Sequence, residues 1–161
     1  HQLPVLFVCE DNKYSVYSHI SKRQSKKRDI IKIANGVGIE GTKISGNNVF
    51  EIFKKTKKII NRVRSKSKPY LLSFETFRHL EHCGPNNDDN LNYRDKKYIQ
   101  EWLKKCPVSV AEKYLINKKL IKKEEIENFK KIIRTEIDKS FLFAEKSKYP
   151  NPKELTKDIY A

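Results

Sequence analysis

The sequence predicts an α/β domain with a parallel sheet and crossover helices, followed by a helical carboxy-terminal tail. Short apolar runs that are typical of strands alternate with longer segments whose apolar residues recur at helical spacing. This alternation favours parallel pairing, because parallel strands need a crossover connection. After residue 94 only helical patterns remain. We therefore expect an α/β domain over residues 1–94 and a helical region over residues 95–161 that packs on it.

The elements of the α/β domain follow in chain order. The run "LPVLFVC" predicts a buried strand over residues 3–9. A helix is expected over residues 29–35, ending at Gly36 as a left-handed cap. "GTKISG" predicts a second strand, and Asn48 with Glu51 three residues later is typical of the capping box of a helix. "YLLSFETF", after the lysine-rich helix, predicts the third strand.

The tail is predicted to be helical throughout. "RDKKYIQEWLKK" indicates one helix, Pro107 suits the first position of a second, and a long helix follows Lys123. A last helix is expected from Asn151, with Pro152 at its first position. The long helix has an apolar stripe made of Ile126, Phe129, Ile133, Ile137 and Phe141. This face has two alternatives, a contact with the sheet or a contact with a partner.

Composition bounds the class of protein. A chain of 161 residues is long enough for a domain with a core. Its three cysteines form no Cys-x-x-Cys pair, which argues against a disulfide framework or a zinc site and favours a reducing compartment. No apolar run approaches the ~20 residues of a membrane span. The absence of Met, with His1 first, predicts a fragment or a processed chain.

The net charge of +15 raises the alternative of a basic nucleic-acid-binding domain. The placement of the lysines argues against it. In "NVFEIFKKTKKIINRVRSK" the lysines lie between apolar residues at helical spacing, as on the solvated face of an amphipathic helix. No basic segment interleaved with aromatic residues, and no zinc-finger spacing, accompanies them.

The loop "RHLEHCGPNNDDNLNYR" is the predicted location of chemistry. It follows the carboxyl end of the third strand, and ligands of open parallel sheets bind outside such ends. Its candidate side chains are Arg78, His79, Glu81, His82, Asp88, Asp89 and Arg94. The first strand ends on Glu10, Asp11 and Asn12, and we expect these residues at the same edge of the sheet. The two polar strand ends therefore predict a single crevice.

Each of these residues also has a purely structural interpretation. Asp11 and Asn12 are residues that make turns by bonding their own backbone. His79 and His82 suit an exposed loop equally well. A metal site of His82 with Asp88 has no recognisable ligand spacing.

Four stretches together resemble a known family. "LPVLFVCEDNKYSV", "DIIKIANGVGIEGTKISGNNVFEIFKKT", "YLLSFETFRHLEHCGP" and "NYRDKKYIQEWLKKCPV" are similar to the alpha subunit of thiamine-diphosphate-dependent 2-oxo acid dehydrogenases. The family includes the pyruvate, branched-chain 2-oxo acid and acetoin dehydrogenases. The resemblance continues to "NPKELTKDIYA" and implies a partial thiamine-diphosphate-binding fold, the carboxy-terminal half of the subunit.

The resemblance implies a magnesium and diphosphate site at the end of the first strand. In the family a Gly-Asp-Gly element and an Asn-Asn pair hold the Mg²⁺ that binds the diphosphate of the cofactor. Asn12 matches the second Asn, as a side-chain ligand, and Tyr14 matches a position that supplies a backbone carbonyl. Mg²⁺ prefers such oxygen ligands. No Gly-Asp-Gly occurs in the chain, so we expect the fragment alone to bind the cofactor weakly or not at all and to be inactive.

The resemblance also assigns two residues of the loop. Arg78 and His82 match the basic pair that reaches the diphosphate of the cofactor, and His82 is the candidate catalytic residue. An arginine offers paired donors to phosphate, and a histidine relays a proton near neutral pH. Three positions depart from the family pattern: Asp11 replaces Asn, Phe77 replaces Tyr, and Cys83 replaces a Ser that is phosphorylated in several relatives.

The implied activity is decarboxylation of a 2-oxo acid such as pyruvate and transfer of the acyl group to lipoamide, an oxidoreductase reaction with a disulfide acceptor. The implied partners are a beta subunit, in an alpha2-beta2 assembly, and a lipoyl-bearing acyltransferase. An acetoin dehydrogenase alpha subunit is the alternative within the family. We expect a cytoplasmic location, with an organelle matrix as the alternative, and no membrane association.

Overall fold

The structure is a computed structural model that describes residues 1–159. The chain divides into two compact units, one over His1–Tyr114 and one that begins at Leu115. All the candidate site residues lie in the first unit. The predicted division into domains after residue 94 stays a prediction.

The element order alternates strands and helices before it becomes helical. Within residues 1–159 the strands are β1 (Leu6–Asp11), β2 (Tyr14–Ser15), β3 (Ser18–His19), β4 (Glu40–Ser45) and β5 (Tyr70–Glu75). The α-helices are α1 (Ile30–Gly36), α2 (Val49–Lys66), α3 (Lys96–Leu103), α4 (Pro107–Asn117) and α5 (Lys123–Lys146). Single 3₁₀ turns lie at Ile20–Lys22, Asp89–Leu91 and Pro152–Thr156.

The main sheet has the order β1-β5-β4, and all its pairs are parallel. Ser73 of β5 lies opposite Cys9 of β1 and opposite Lys43 of β4, so the three strands end at the same level. β2 and β3 form a separate antiparallel pair just after β1. The predicted α/β class, a parallel sheet with crossover helices and a helical tail, is confirmed.

The core lies on both faces of β5, where Tyr70 to Phe74 are all buried. On one face, α2 contributes to a cluster made of Ile44, Val63, Tyr70, Leu72 and Phe74. On the other face α1 approaches β4 closely, because a Cβ atom on Gly41 would lie 3.1 Å from Ile31 Cδ1. A glycine at this position therefore lets the helix lie against the sheet.

The prediction of a first strand is confirmed, but the prediction that this strand is buried is wrong. β1 forms at residues 6–11, but Phe7 and Val8 are about half exposed. The apolar run resembles a central strand, whereas β1 lies at the edge of the sheet and β5 occupies the centre. Periodicity alone does not distinguish these two positions.

Helix ends follow local sequence signals, with two corrections. Asp29 caps α1 by accepting from Ile31 N at 2.8 Å. The left-handed glycine is Gly38, with φ of 82°, while Gly36 belongs to the helix. Asn48 caps α2, but the side chain of Glu51 pairs with Lys55 one turn later rather than completing a capping box.

The carboxy-terminal elements also follow the predictions closely. α4 begins at Pro107 and α5 at Lys123, and the last predicted helix is a 3₁₀ turn capped by Asn151. On α5 the predicted stripe is largely exposed, and Phe141 has 67% of its surface accessible. In residues 1–159, no helix is both long and apolar enough to cross a membrane.

Candidate functional site

Three strand ends meet at a crevice of about 290 Å³ at the carboxyl edge of the sheet. We call it the strand-end crevice. Its lining residues are Glu10 near the end of β1 and Asn12 just after β1, Gly46 and Asn47 after β4, and Thr76, Phe77, Arg78 and His79 after β5, together with Pro107. The predicted convergence of the polar ends of the first and third strands is therefore present, and Asn12 and Arg78 share one crevice.

Asn12 lies in a tight polar turn. Its Oδ1 atom accepts a hydrogen bond from Tyr14 N at 2.8 Å, and Asp11 Oδ1 accepts from Lys13 N at 3.2 Å. Lys13 has a φ of 67°, which this turn requires. Both side chains thus make the turns that the structural interpretation expects. An amide oxygen carries two lone pairs, so the bond from Tyr14 leaves Asn12 able to accept a second bond or a cation.

Arg78 is held by the loop that it begins. Its guanidinium donates to Val16 O at 2.9 Å, to Tyr93 Oη at 2.7 Å and to Leu80 O at 3.0 Å. Its Nη1 atom is buried and has no hydrogen-bond partner. The side chain is therefore fixed in position while one donor remains unused.

Asp88 connects Arg78 to a second arginine. Its Oδ1 atom accepts from Arg94 Nη2 at 2.7 Å, its Oδ2 atom accepts from Tyr93 Oη at 2.7 Å, and Arg78 Nη2 lies 3.5 Å from Oδ2. The Asp88 and Arg94 side chains are only 3% and 2% exposed. We call Arg78, Asp88, Tyr93 and Arg94 the clasp. It ties both ends of the loop after β5 together.

Aromatic rings cover the clasp. The Arg94 guanidinium lies 4.9 Å from the centre of the Tyr93 ring and 5.1 Å from the centre of the Phe77 ring. Phe77 stacks on Trp102 of α3 at 5.8 Å with nearly parallel planes. Burial raises the pKa of Tyr93, and the bond that it donates to Asp88 raises it further. The phenol therefore stays protonated and keeps donating to the carboxylate.

The sequence prediction missed the clasp. It placed Asp88 and Arg94 in a loop too polar for a core, whereas both are buried. The charges neutralise one another across six residues, with Asp89 adding a second carboxylate at 2.8 Å from Arg94. The doublet Tyr93-Arg94, opposite the acidic doublet Asp88-Asp89, is a signal for such pairing, but single-residue polarity conceals it.

His82 is exposed in the middle of this loop and lies outside the strand-end crevice, as does the exposed Cys83. His79 lines the crevice and packs edge-on against Phe77 at 5.1 Å. Asp88, the other residue of the alternative metal site with His82, accepts hydrogen bonds from Arg94 and Tyr93 and lies 3.5 Å from Arg78. Across residues 1–159, no group of three or more His, Cys, Asp and Glu side chains is arranged to hold a metal ion.

The order of elements and the all-parallel main sheet with polar strand ends define an α/β protein. The sequence model of the family described as "Dehydrogenase E1 component" matches residues 1–153, so the chain belongs to this family. The resemblance noted from the sequence is thereby confirmed.

Curated relatives agree with this assignment. The chain is 29% identical over 160 residues to the mitochondrial 2-oxoisovalerate dehydrogenase subunit alpha of Mus musculus. The aligned region covers 99% of the chain and 36% of that relative. It is 25% identical over 158 residues to the pyruvate dehydrogenase E1 component subunit alpha of Rickettsia bellii, and this aligned region covers 98% of the chain and 47% of that relative. The chain thus spans less than half the length of these two relatives.

Proposed function

We propose that the chain is the diphosphate-binding part of the alpha subunit of a thiamine-diphosphate-dependent 2-oxo acid dehydrogenase. The observation that carries the proposal is the strand-end crevice, where Asn12 and Arg78 from two strand ends line one space. The names of the relatives support a 2-oxo acid as the substrate, pyruvate or 2-oxoisovalerate. We propose the cytoplasm or an organelle matrix as the compartment, since both bacterial and mitochondrial relatives occur.

The donor set fits magnesium and a diphosphate. Asn12 Oδ1 and the Tyr14 carbonyl offer the neutral oxygen atoms that Mg²⁺ accepts, with phosphate and water completing its shell. Arg78 contributes the buried, unused Nη1 donor to a phosphate oxygen. No Gly-Asp-Gly element occurs in this sequence, so we propose that these residues form one side of the site.

The bound cofactor supplies the electron sink for decarboxylation of the 2-oxo acid. The residues of this chain orient it. The clasp fixes Arg78, and the turn after β1 fixes Asn12, so both groups are in position before a ligand arrives. We propose His82, on the exposed part of the loop, as the residue that holds or moves a proton at an imidazole nitrogen during the reaction.

The proposed partners are a beta subunit, in an alpha2-beta2 assembly, and a lipoyl-bearing acyltransferase that accepts the acyl group. Salt dependence distinguishes this role from the alternative of nucleic-acid binding, because the affinity of a protein for nucleic-acid phosphates falls steeply as the salt concentration rises. Retention of DNA or RNA by the chain at physiological ionic strength would favour the alternative.

The test is turnover by the full-length subunit assembled with its beta partner. Reduction of an artificial electron acceptor is measured with pyruvate, the branched-chain 2-oxo acids and acetoin, with and without thiamine diphosphate and Mg²⁺. We expect cofactor-dependent turnover of a 2-oxo acid, and a fall of about 10²-fold or more in His82→Ala. Cys83→Ala, at the exposed neighbour that also lies outside the strand-end crevice, is the matched variant and is expected to keep most of the activity. An equal fall in Cys83→Ala, or full activity in His82→Ala, would contradict the assignment.

A further inference from the structure

A second and larger depression adjoins the turn after β1. It has a volume of about 460 Å³, and its walls are formed by residues 9–14, 19–21, 23–26 and 28, with Ile30 of α1 and Lys43 of β4. Five of its lining side chains are basic: Lys13, Arg23, Lys26, Arg28 and Lys43. We call it the basic cleft. Its volume lies in the range of small-molecule sites.

Three of these cations have no acidic partner. Lys13 pairs with Asp11, and Lys43 Nζ lies 2.8 Å from Asp29 Oδ2. Arg23, Lys26 and Arg28 form no ion pair with any described residue. The one remaining carboxylate in the lining is Glu10. The basic cleft therefore carries an excess of positive charge, and a concave surface of one sign concentrates counter-ions.

An unsatisfied acceptor lies in the same wall. Gln24 lines the basic cleft between Arg23 and Lys26, and its Oε1 atom is buried without a hydrogen-bond partner. Buried acceptors are normally satisfied, so this atom indicates a donor that the described chain does not provide. A ligand that carries a hydroxyl or a protonated oxyanion beside its negative charges supplies such a donor.

We propose that the basic cleft binds a doubly charged oxyanion group of a small ligand, a phosphate ester or a phosphonate. The inference rests on the proposed function, since it places this group next to the cofactor-binding turn. Asn12 lines both spaces, and Tyr14 of the same turn lines the basic cleft, where Arg23, Lys26 and Arg28 also lie outside the strand-end crevice. The strand-end crevice takes the diphosphate of the cofactor, and the basic cleft takes a second anion. The paired donors of the arginines match the oxygen atoms of phosphate.

The test measures binding directly. Phosphoglycolate is titrated calorimetrically into the full-length subunit assembled with its beta partner, with and without saturating thiamine diphosphate and Mg²⁺, and glycolate is the control without phosphate. We expect phosphoglycolate to bind the cofactor-saturated assembly at least about tenfold more tightly than glycolate, and Arg23→Gln or Arg28→Gln to weaken it about tenfold. Lys54→Gln and Lys58→Gln, on the exposed face of α2, remove the same charge and should leave binding unchanged.

Three results would overturn the proposal. If thiamine diphosphate displaces phosphoglycolate, the basic cleft binds the cofactor and not a second anion. If Lys54→Gln and Lys58→Gln weaken phosphoglycolate binding as much as the arginine variants do, the effect comes from net charge alone. If glycolate binds as tightly as phosphoglycolate, the basic cleft does not require a phosphate. Failure of the proposed function is distinguishable. If the assembly does not bind thiamine diphosphate, phosphoglycolate binding that is lost in the arginine variants alone still supports the anion site.

Discussion

The loop after β5 and the loop after β1 differ in the burial and pairing of their charged side chains. After β5, Asp88 and Arg94 are buried and paired under aromatic rings. After β1, Arg23 and Arg28 are exposed and form no ion pair among the described residues. Buried charges are tolerated only when they are paired, and removal of one partner is costly, whereas exposed charges contribute little to stability and remain available to a ligand. The charges of the loop after β5 thus hold that loop in place, whereas those of the loop after β1 remain available to a ligand.

The largest test of this comparison removes the central carboxylate of the clasp. Asp88→Asn removes the buried carboxylate that lies between Arg78 and Arg94, so that the buried Arg94 keeps only the partly exposed Asp89, and we expect a loss of about 3–5 kcal/mol in the free energy of unfolding. Asp89→Asn is the matched control, because the Asp89 side chain is 29% exposed and its pair with Arg94 is worth about 0–1 kcal/mol. Urea denaturation monitored by Trp102 fluorescence measures both. Equal losses in the two variants would show that burial does not set the cost.

A smaller effect is expected from the hydroxyl that joins Asp88 to Arg78. Tyr93→Phe removes this bridge and should cost about 1–3 kcal/mol, with faster hydrogen exchange across residues 79–87. Tyr17→Phe is the control, since the Tyr17 ring packs on Tyr93 at 5.1 Å without a hydroxyl hydrogen bond in the described chain. Unchanged exchange in Tyr93→Phe would mean that the clasp does not order the loop.

Little change in stability is expected from the basic cleft. Arg23→Gln and Arg28→Gln should each leave the free energy of unfolding within about 0.5 kcal/mol, because exposed and unpaired side chains contribute little. Thermal denaturation at matched ionic strength measures the change. A loss comparable to that of Asp88→Asn would erase the contrast between the two loops.

The smallest effect concerns Asp29, which caps α1. A side-chain bond from Lys43, aided by the backbone bond from Lys32, lowers the pKa of Asp29 to about 2. Because the folded state favours the carboxylate, its contribution to stability is present above the ordinary pKa of about 4 and is lost as the pH falls through about 2. A carboxyl titration by NMR should give this midpoint, and Lys43→Met should raise it. A midpoint near 4 in the unchanged chain would contradict the assignment.

The sequence predicted the fold well because local signals and periodicity define it. Asp29 and Asn48 are typical capping residues at the starts of α1 and α2, and the apolar run of β5 forms a buried strand. The place of β1 at the edge of the sheet was not predictable, since strand order depends on tertiary pairing. The clasp was not predictable for a related reason, because its burial follows from charges that meet over six to ten residues and from the ring of Trp102 on α3.

The site was predicted in part. The meeting of Asn12 and Arg78 follows from the shared level of parallel strand ends. The roles assigned to Asn12, Tyr14, Arg78 and His82 stay predictions that rest on the resemblance. The unpaired state of Arg23 and Arg28 needed the structure, because only contacts distinguish a free cation from a partner in an ion pair.

The central claim is that the turn after β1 holds the magnesium and diphosphate of the cofactor. The most direct measurement is calorimetric titration of thiamine diphosphate into the full-length subunit assembled with its beta partner, with and without Mg²⁺, for Asn12→Ala and for the exposed control Asn90→Ala. We expect Mg²⁺-dependent binding that Asn12→Ala weakens at least about tenfold and Asn90→Ala leaves unchanged. Equal, Mg²⁺-dependent affinity in both variants and in the unchanged subunit would contradict the claim.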